Sequence, residues 1–294
     1  MTNEEYLQEI LASQRFNNDD DEIKELRAER DKVEGVLRKA YGTGPSIRYG
    51  GSHAKGTMIK ASYDLDILCY FASDDESAGK TLKEIHASVK STLEKDYFVE
   101  VKRSALRLRS RDKSTDFHVD VVPGRSVDDT KTDVSLYQAD GSKDWFKTNP
   151  DKHIEHVKSS GCVEPICMLK YWARRYAIDV KTFVLELAII EALKGCRAES
   201  LEGRLKHVLV DFRDDIDAIT VEDPANPTGN DLSGLWSDGV RTTLAAVAKQ
   251  TLATVEKEGW QPIFGPLQES KEARSAAIHV AARSVTEPTK PWRK

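Results

Sequence analysis

Long hydrophobic runs are missing from this sequence: no stretch approaches the roughly 20 apolar residues that a membrane span requires. The start, MTNEEYLQEI, is acidic and lacks the basic and apolar regions of an export signal. A cytoplasmic location with no membrane partner is the resulting expectation. Cysteine is scarce. Cys69, Cys162, Cys167 and Cys196 have neither the paired short spacing of a zinc site nor the density of a secreted disulfide scaffold, and are read as reduced and buried. An excess of positive charge is missing too. The formal net charge of −5 gives no global reason for nucleic-acid binding and leaves only a local basic surface open. The seven histidines show no ligand spacing, and no internal repeat is visible.

What is present is a globular composition, 39% hydrophobic and 32% charged over 294 residues, enough to bury a full core without disulfides and to form two lobes. Over residues 23–40, Ile23, Leu26, Val33, Val36, Leu37 and Ala40 recur at helical spacing, and Gly42 and Gly44 stop the helix. Short strands follow up to Val122: IRYGG, DLDILCYF, YFVEVKRSALRLRSR, and TDFHVDVVP closed by Pro123, with one helix over 81–95. A polar stretch, 124–152, is the expected boundary. Beyond it the pattern is helical. Pro165 fits the first turn of a helix through MLKYWARRY, and Thr182 fits the cap of FVLELAIIEALK, which Gly195 ends. The loop DPANPTGNDLSG precedes a helix over 240–256, and EPTKPWRK forms a loosely ordered end. The expected division is 1–150, a helix plus sheet domain, and 151–294, a helical domain.

The residues that carry chemistry are Asp64 and Asp66, one residue apart in an otherwise apolar strand that follows Gly50, Gly51 and Ser52. Positions two apart share a strand face, so both carboxylates project together while Leu65 and Ile67 point into the core. Two like charges held together are costly, and a divalent cation relieves that cost. Asp120, in FHVDVVP, sits on the face opposite Phe117, Val119 and Val121. If its strand lies beside the first, three carboxylates share one face and can hold Mg²⁺, with Mn²⁺ as the alternative ion, for phosphoryl transfer. The glycines let backbone approach a phosphate, Ser52 and neighbouring N–H groups can cradle it, and Lys55 adds positive charge. A D-x-D pair or a Gly-Gly-Ser turn alone is commonplace; their ordered combination is far more specific.

GGSHAKGTMIKASYDLDILCYF and FHVDVVP resemble the DNA polymerase β-like nucleotidyltransferases, and within them the 2′-5′-oligoadenylate synthetases and the bacterial cGAS/DncV-like nucleotidyltransferases (CD-NTases). LKYWARRY, TFVLELAIIEAL and DPANPTGN fit the same likeness. The resemblance implies an α/β (α+β) fold: a palm domain with a mixed sheet, a C-terminal oligoadenylate-synthetase-like helical domain, and an active site between them. It implies Asp64, Asp66 and Asp120 as catalytic metal ligands and a nucleotide site including Gly51, Ser52 and Lys55. Lys170 and Thr182 would hold triphosphate, and Asp223 and Asn230 would lie near a base or ribose. No His-Cys-Cys-Cys cluster like the zinc thumb of animal cyclic GMP-AMP synthase is present, and the chain is shorter than a typical animal oligoadenylate synthetase. A compact bacterial CD-NTase is the better match. The implied activity is synthesis of a cyclic or short linear oligonucleotide second messenger from nucleoside triphosphates, ATP among them, in anti-phage signalling, with an RNA or protein activator. The alternative is an RNA 3′-terminal transferase of the CCA- or poly(A)-adding type.

Two patterns stay open. Arg103, Arg107, Arg109 and Arg111 alternate with Leu106 and Leu108, which suits an RNA-contacting stripe, a triphosphate surround or a charge-protected edge strand. Tyr171, Trp172, Tyr176 and Phe183 suit either base stacking or the core, with helical spacing favouring the core for Trp172.

Overall fold

In the computed structural model, which describes residues 1–111, 118–130, 132–139 and 144–267, each strong sequence signal becomes an element. Phe117 and the EPTKPWRK end lie outside the described residues. Helix α1 (Asn3–Gln14) opens with a capping box in which Thr2 accepts from the Glu5 N–H and Glu5 accepts from the Thr2 N–H. Helix α2 (Asp21–Tyr41) buries Ile23, Leu26, Val33 and Leu37 and stops at Gly42, whose φ of 62° suits a residue without Cβ. Strand β1 (Ser46–Tyr49), helix α3 (Gly51–Lys55) and strand β2 (Leu65–Phe71) follow. The Gly-Gly-Ser segment is thus both a turn and the start of a short helix. Thr81 and Glu84 form the capping box of α4 (Leu82–Leu93).

The sequence from Tyr97 to Arg111 is not one strand. It folds back as the antiparallel hairpin of β3 (Tyr97–Val101) and β4 (Leu106–Ser110), which puts Arg103 in the connection rather than on a common strand face. Strand β5 (Val119–Ser126) runs through Pro123 instead of ending there. The reason lies in the register. β4 pairs with β5 only as far as Val121 and β6 (Val134–Tyr137) begins at Gly124, so Pro123 falls where β5 exchanges one neighbour for the other. β6 and β7 (Trp145–Thr148) extend the sheet into the polar stretch taken as a boundary.

The sheet order is β1-β2-β5-β4-β3, with β6 pairing β5 and β7. β2 and β5 are parallel and adjacent, and the crossover between them carries α4 and the β3–β4 hairpin. Leu65, Ile67, Cys69 and Phe71 of β2 pack with Val119, Val121, Leu106 and Leu108 beneath α2 and α4. Each such side chain contributes about 1.5–3 kcal/mol by burial. A one-residue slip of either strand would expose this set and bury the carboxylates, so the apolar face fixes the register.

The second core is helical: α5 (Pro150–Ser159), α6 (Val163–Arg175), α7 (Thr182–Ala192), α8 (Leu201–Asp214), α9 (Asp238–Glu258) and α10 (Gln261–Phe264). α1 belongs to it, since Tyr6, Leu7, Ile10 and Leu11 pack there and the Tyr6 hydroxyl donates to the Gly265 carbonyl at 2.5 Å. The two cores therefore interleave along the chain. Trp172 is wholly buried, its indole N–H donating to Thr251 Oγ1 at 2.9 Å, so it serves the core. Thr182 is the first residue of α7 rather than its cap; Lys181 occupies the cap position without a side-chain bond. All four cysteines are free, and Cys196 is half-buried rather than buried. Among the described residues, no helix is long and apolar enough to cross a membrane.

Candidate active site

The alternation that sends Leu65, Ile67, Val119 and Val121 inward leaves Asp66 and Asp120 on the opposite face, and the two are direct cross-strand partners. Asp64 stands just before β2, whose start is tied to β5 by the Leu65 N–H donating to the His118 carbonyl at 3.0 Å. The Gly50 N–H donates to the Asp66 carbonyl at 2.9 Å, drawing the glycine turn onto the carboxylates. At Gly51, with φ +50°, an added Cβ would lie 1.6 Å from Asp66 Oδ2. Only glycine lets the turn rest there.

Sequence reading left the role of Arg107 open, and the fold gives it a specific one. β4 is an interior strand between β3 and β5, not an edge, and Arg107 lies directly across from Asp120. Its Nε and Nη2 donate to the two Asp120 oxygens at 2.9 and 2.8 Å, and Nη2 is 3.9 Å from Asp64 Oδ2. Among the described residues, no three His, Cys, Asp or Glu side chains are gathered as a metal-ligating group; Arg107 instead spans Asp64 and Asp120. No described donor bonds the Asp66 carboxylate. Burial pushes its pKa up to about 6, the Asp120 and Asp64 charges add to the rise, and Lys55 and Lys170 oppose it.

Those two lysines meet at a residue the sequence reading passed over. Glu186, on α7, is completely buried. Its Oε2 is bonded by Lys55 Nζ, and its Oε1 accepts from Thr57 Oγ1 at 2.6 Å and lies 3.6 Å from Lys170 Nζ. Lys170 Nζ also donates to the Thr57 carbonyl at 2.7 Å. Burial alone would raise the Glu186 pKa, but the two lysines hold it below the usual carboxylate range. Burial pushes the Lys170 ammonium down, with Glu186 opposing. A glutamate flanked on both sides by apolar residues, in FVLELAII, was the signal available for this residue.

Asp223 and Asn230 are brought together, but as parts of a closed loop. Asp223 Oδ1 is 2.7 Å from His153 Nε2 and accepts the Ala225 N–H at 2.8 Å, while Oδ2 accepts from Asn230 Nδ2 at 2.7 Å. Burial opposes ionisation of Asp223, yet these bonds hold its pKa low. Asn230 also donates to the Lys147 carbonyl at 3.1 Å, fastening the loop to β7. His153, on α5, was assigned no role from sequence; its ring centroid lies 4.9 Å from that of Phe183, over which Lys55 Nζ sits at 5.5 Å. Lys55 is thus coupled through its charge to Asp66, and through the Phe183 ring it neighbours His153 of the Asp223 loop. Thr182 is exposed beside Phe183, and Ser52 lies in the first turn of α3, its carbonyl accepting the Thr57 N–H at 3.0 Å.

The sequence pattern of the Second Messenger Oligonucleotide or Dinucleotide Synthetase domain (SMODS) matches residues 1–160, which include all three aspartates and the strands that carry them. The chain belongs to the SMODS family. As a SMODS member it is a nucleotidyltransferase of the cGAS/DncV-like type. No curated protein sequence matches the chain. Solved structures extend the likeness beyond the SMODS segment. The CdnE cyclic dinucleotide synthase of Elizabethkingia meningoseptica, solved with GTP and Apcpp, superposes with a TM-score of 0.64 at 16% identity, over 86% of this chain and 98% of that one. CdnC of E. coli MS115-1, in complex with HORMA-deltaN, gives 0.65 at 17%, over 90% and 97%. The DncV cyclic AMP-GMP synthase of Vibrio cholerae gives 0.59 at 14%, over 92% and 88%. At these identities the likeness establishes the fold: a polymerase β-like mixed sheet with a helical domain.

Proposed function

We propose that this protein is a divalent-metal-dependent synthase that joins nucleoside triphosphates into a cyclic or short linear oligonucleotide messenger, with Asp64, Asp66 and Asp120 as ligands of Mg²⁺ or, alternatively, Mn²⁺. The register that sets Asp66 beside Asp120, with Asp64 two positions upstream, carries this reading. The residues fit a hard cation. All three donors are carboxylate oxygens, Arg107 pairs with Asp120 and lies 3.9 Å from Asp64, and Asp66, under the field of Lys55 and Lys170, has no described donor of its own. When bound, such an ion supplies charge neutralisation and polarisation for an in-line displacement at phosphorus.

The remaining roles belong to the chain itself. The Gly50–Ser52 turn admits a phosphate against backbone. Lys55 and Lys170, two cations on the single anion Glu186, leave an excess positive charge for the triphosphate, and Thr182 borders that region. Phe183, Asp223 and Asn230 wall the base or ribose, and the acceptor is a ribose hydroxyl of a second nucleotide. GTP and Apcpp named with the CdnE structure support triphosphate donors, ATP among them. A role in bacterial anti-phage signalling, under an RNA or protein activator, accords with SMODS membership.

The test is incubation of wild type and Asp66→Ala with all four labelled triphosphates and MgCl₂, without RNA, followed by mass analysis. Wild type is expected to yield an oligonucleotide and the folded variant none. Undiminished synthesis by Asp66→Ala would contradict the ligand assignment, and product formed only after RNA is added would favour 3′-terminal transfer.

A further inference from the structure

Because Leu106 and Leu108 of β4 are committed to the core, the residue between them is forced onto the carboxylate face. That residue is Arg107, whose planar fork matches both oxygens of Asp120 and whose Nη2 also lies 3.9 Å from Asp64 Oδ2. Its side chain is 23% exposed, so the pair is only partly screened by solvent. Arg109, two residues on, is 61% exposed and lies 4.0 Å from Glu100. Arg107 also has a second anionic neighbour. Glu100 on β3 is its direct cross-strand partner on the side away from Asp120. One guanidinium thus stands between two carboxylates on flanking strands, bonded to Asp120 and electrostatically coupled to Glu100, whose Oε1 accepts from Lys102 Nζ at 2.7 Å.

A guanidinium bonded to both Asp120 oxygens and a divalent cation on the same oxygens repel each other at contact range. We propose that Arg107 is a latch: it competes with the divalent cation for Asp120 and Asp64, and its release toward Glu100 opens the metal site. This inference rests on the metal reading given under Proposed function and adds to it a residue that sets when the site loads. The arrangement is a two-position element of the kind that switches between discrete states.

The test measures Mn²⁺ binding directly, by the paramagnetic resonance signal of free Mn²⁺, without nucleotide or turnover. Arg107→Gln is expected to bind Mn²⁺ roughly tenfold tighter than wild type, the net worth of a charged hydrogen-bonded pair. Arg109→Gln, which removes the same formal charge from the same strand, is expected to shift binding by less than about twofold, as for an exposed pair. Glu100→Gln removes the alternative seat and is expected to weaken binding in the wild-type background but not alongside Arg107→Gln, which leaves no cation at this position to release. Unchanged affinity in Arg107→Gln, or equal tightening in Arg109→Gln, overturns the latch while leaving the metal reading intact. Absence of millimolar Mn²⁺ binding in every protein, wild type included, removes the metal reading and the latch together.

Discussion

Two charge clusters lie within reach of each other in this molecule, and they are built oppositely. On the sheet, one guanidinium spans two of three carboxylates, and the third, Asp66, is left with a raised pKa and no described donor. Between α3, α6 and α7, two ammonium groups share one carboxylate that is sealed from solvent and bonded at both oxygens. The first is open, with Asp66 unbonded; the second is closed, its one anion bonded at both oxygens and one positive charge in excess. An incompletely paired cluster costs stability and gains the capacity to bind. A buried cluster whose anion is bonded at both oxygens is costly to break.

Breaking the closed cluster is expected to have the largest effect. Glu186→Ala leaves Lys55 and Lys170 buried without their partner and should lower unfolding free energy by about 3–5 kcal/mol, measured by urea titration. The open cluster should respond with the other sign. Asp66 has a folded pKa of about 6, above its ordinary 3.8, so the native state holds the proton more tightly than the unfolded chain. That contribution is complete below pH 3.8 and is lost as pH rises through 6. With chelator present, Asp66→Asn should therefore be more stable than wild type at pH 8, by about 1–3 kcal/mol, and no more stable near pH 3.5. A destabilised Asp66→Asn at pH 8 would break the contrast. Asp223→Asn tests whether the loop resembles the closed cluster. Weakened bonds to His153, Ala225 and Asn230 should cost about 1 kcal/mol and speed hydrogen exchange at the Ala225 and Asn230 amides. Arg109→Gln supplies the baseline: no measurable change in Tm, since its partner is distant and exposed.

The open cluster was legible in the sequence because strand alternation places Asp64, Asp66 and Asp120 by local rule, against Leu65, Ile67, Val119 and Val121. Adjacency of β2 and β5 was a condition that only the fold supplies. The closed cluster was not legible. Lys55 and Lys170 stood out as phosphate ligands, but their shared anion is 131 residues from Lys55, beyond any local pattern. Arg107 was seen within a stripe, yet the stripe dissolved once Tyr97–Val101 and Leu106–Ser110 proved to be two strands, and register alone picked out Arg107. β6 and β7 were hidden for a different reason. Each is four residues long in a polar context, and they are held by pairing with β5 and each other rather than by their own apolar pattern. α1 was missed as a core element because its partners, α6, α8 and the Gly265 carbonyl, are all distant in sequence.

The most direct test of the account is an anomalous difference map from crystals grown with Mn²⁺ and a non-hydrolysable triphosphate. Mn²⁺ density is expected between Asp66 and Asp120, with triphosphate oxygens completing the ligand set and Arg107 drawn off Asp120. Density elsewhere, with the Arg107 fork still closed on Asp120 while nucleotide is bound, would contradict it.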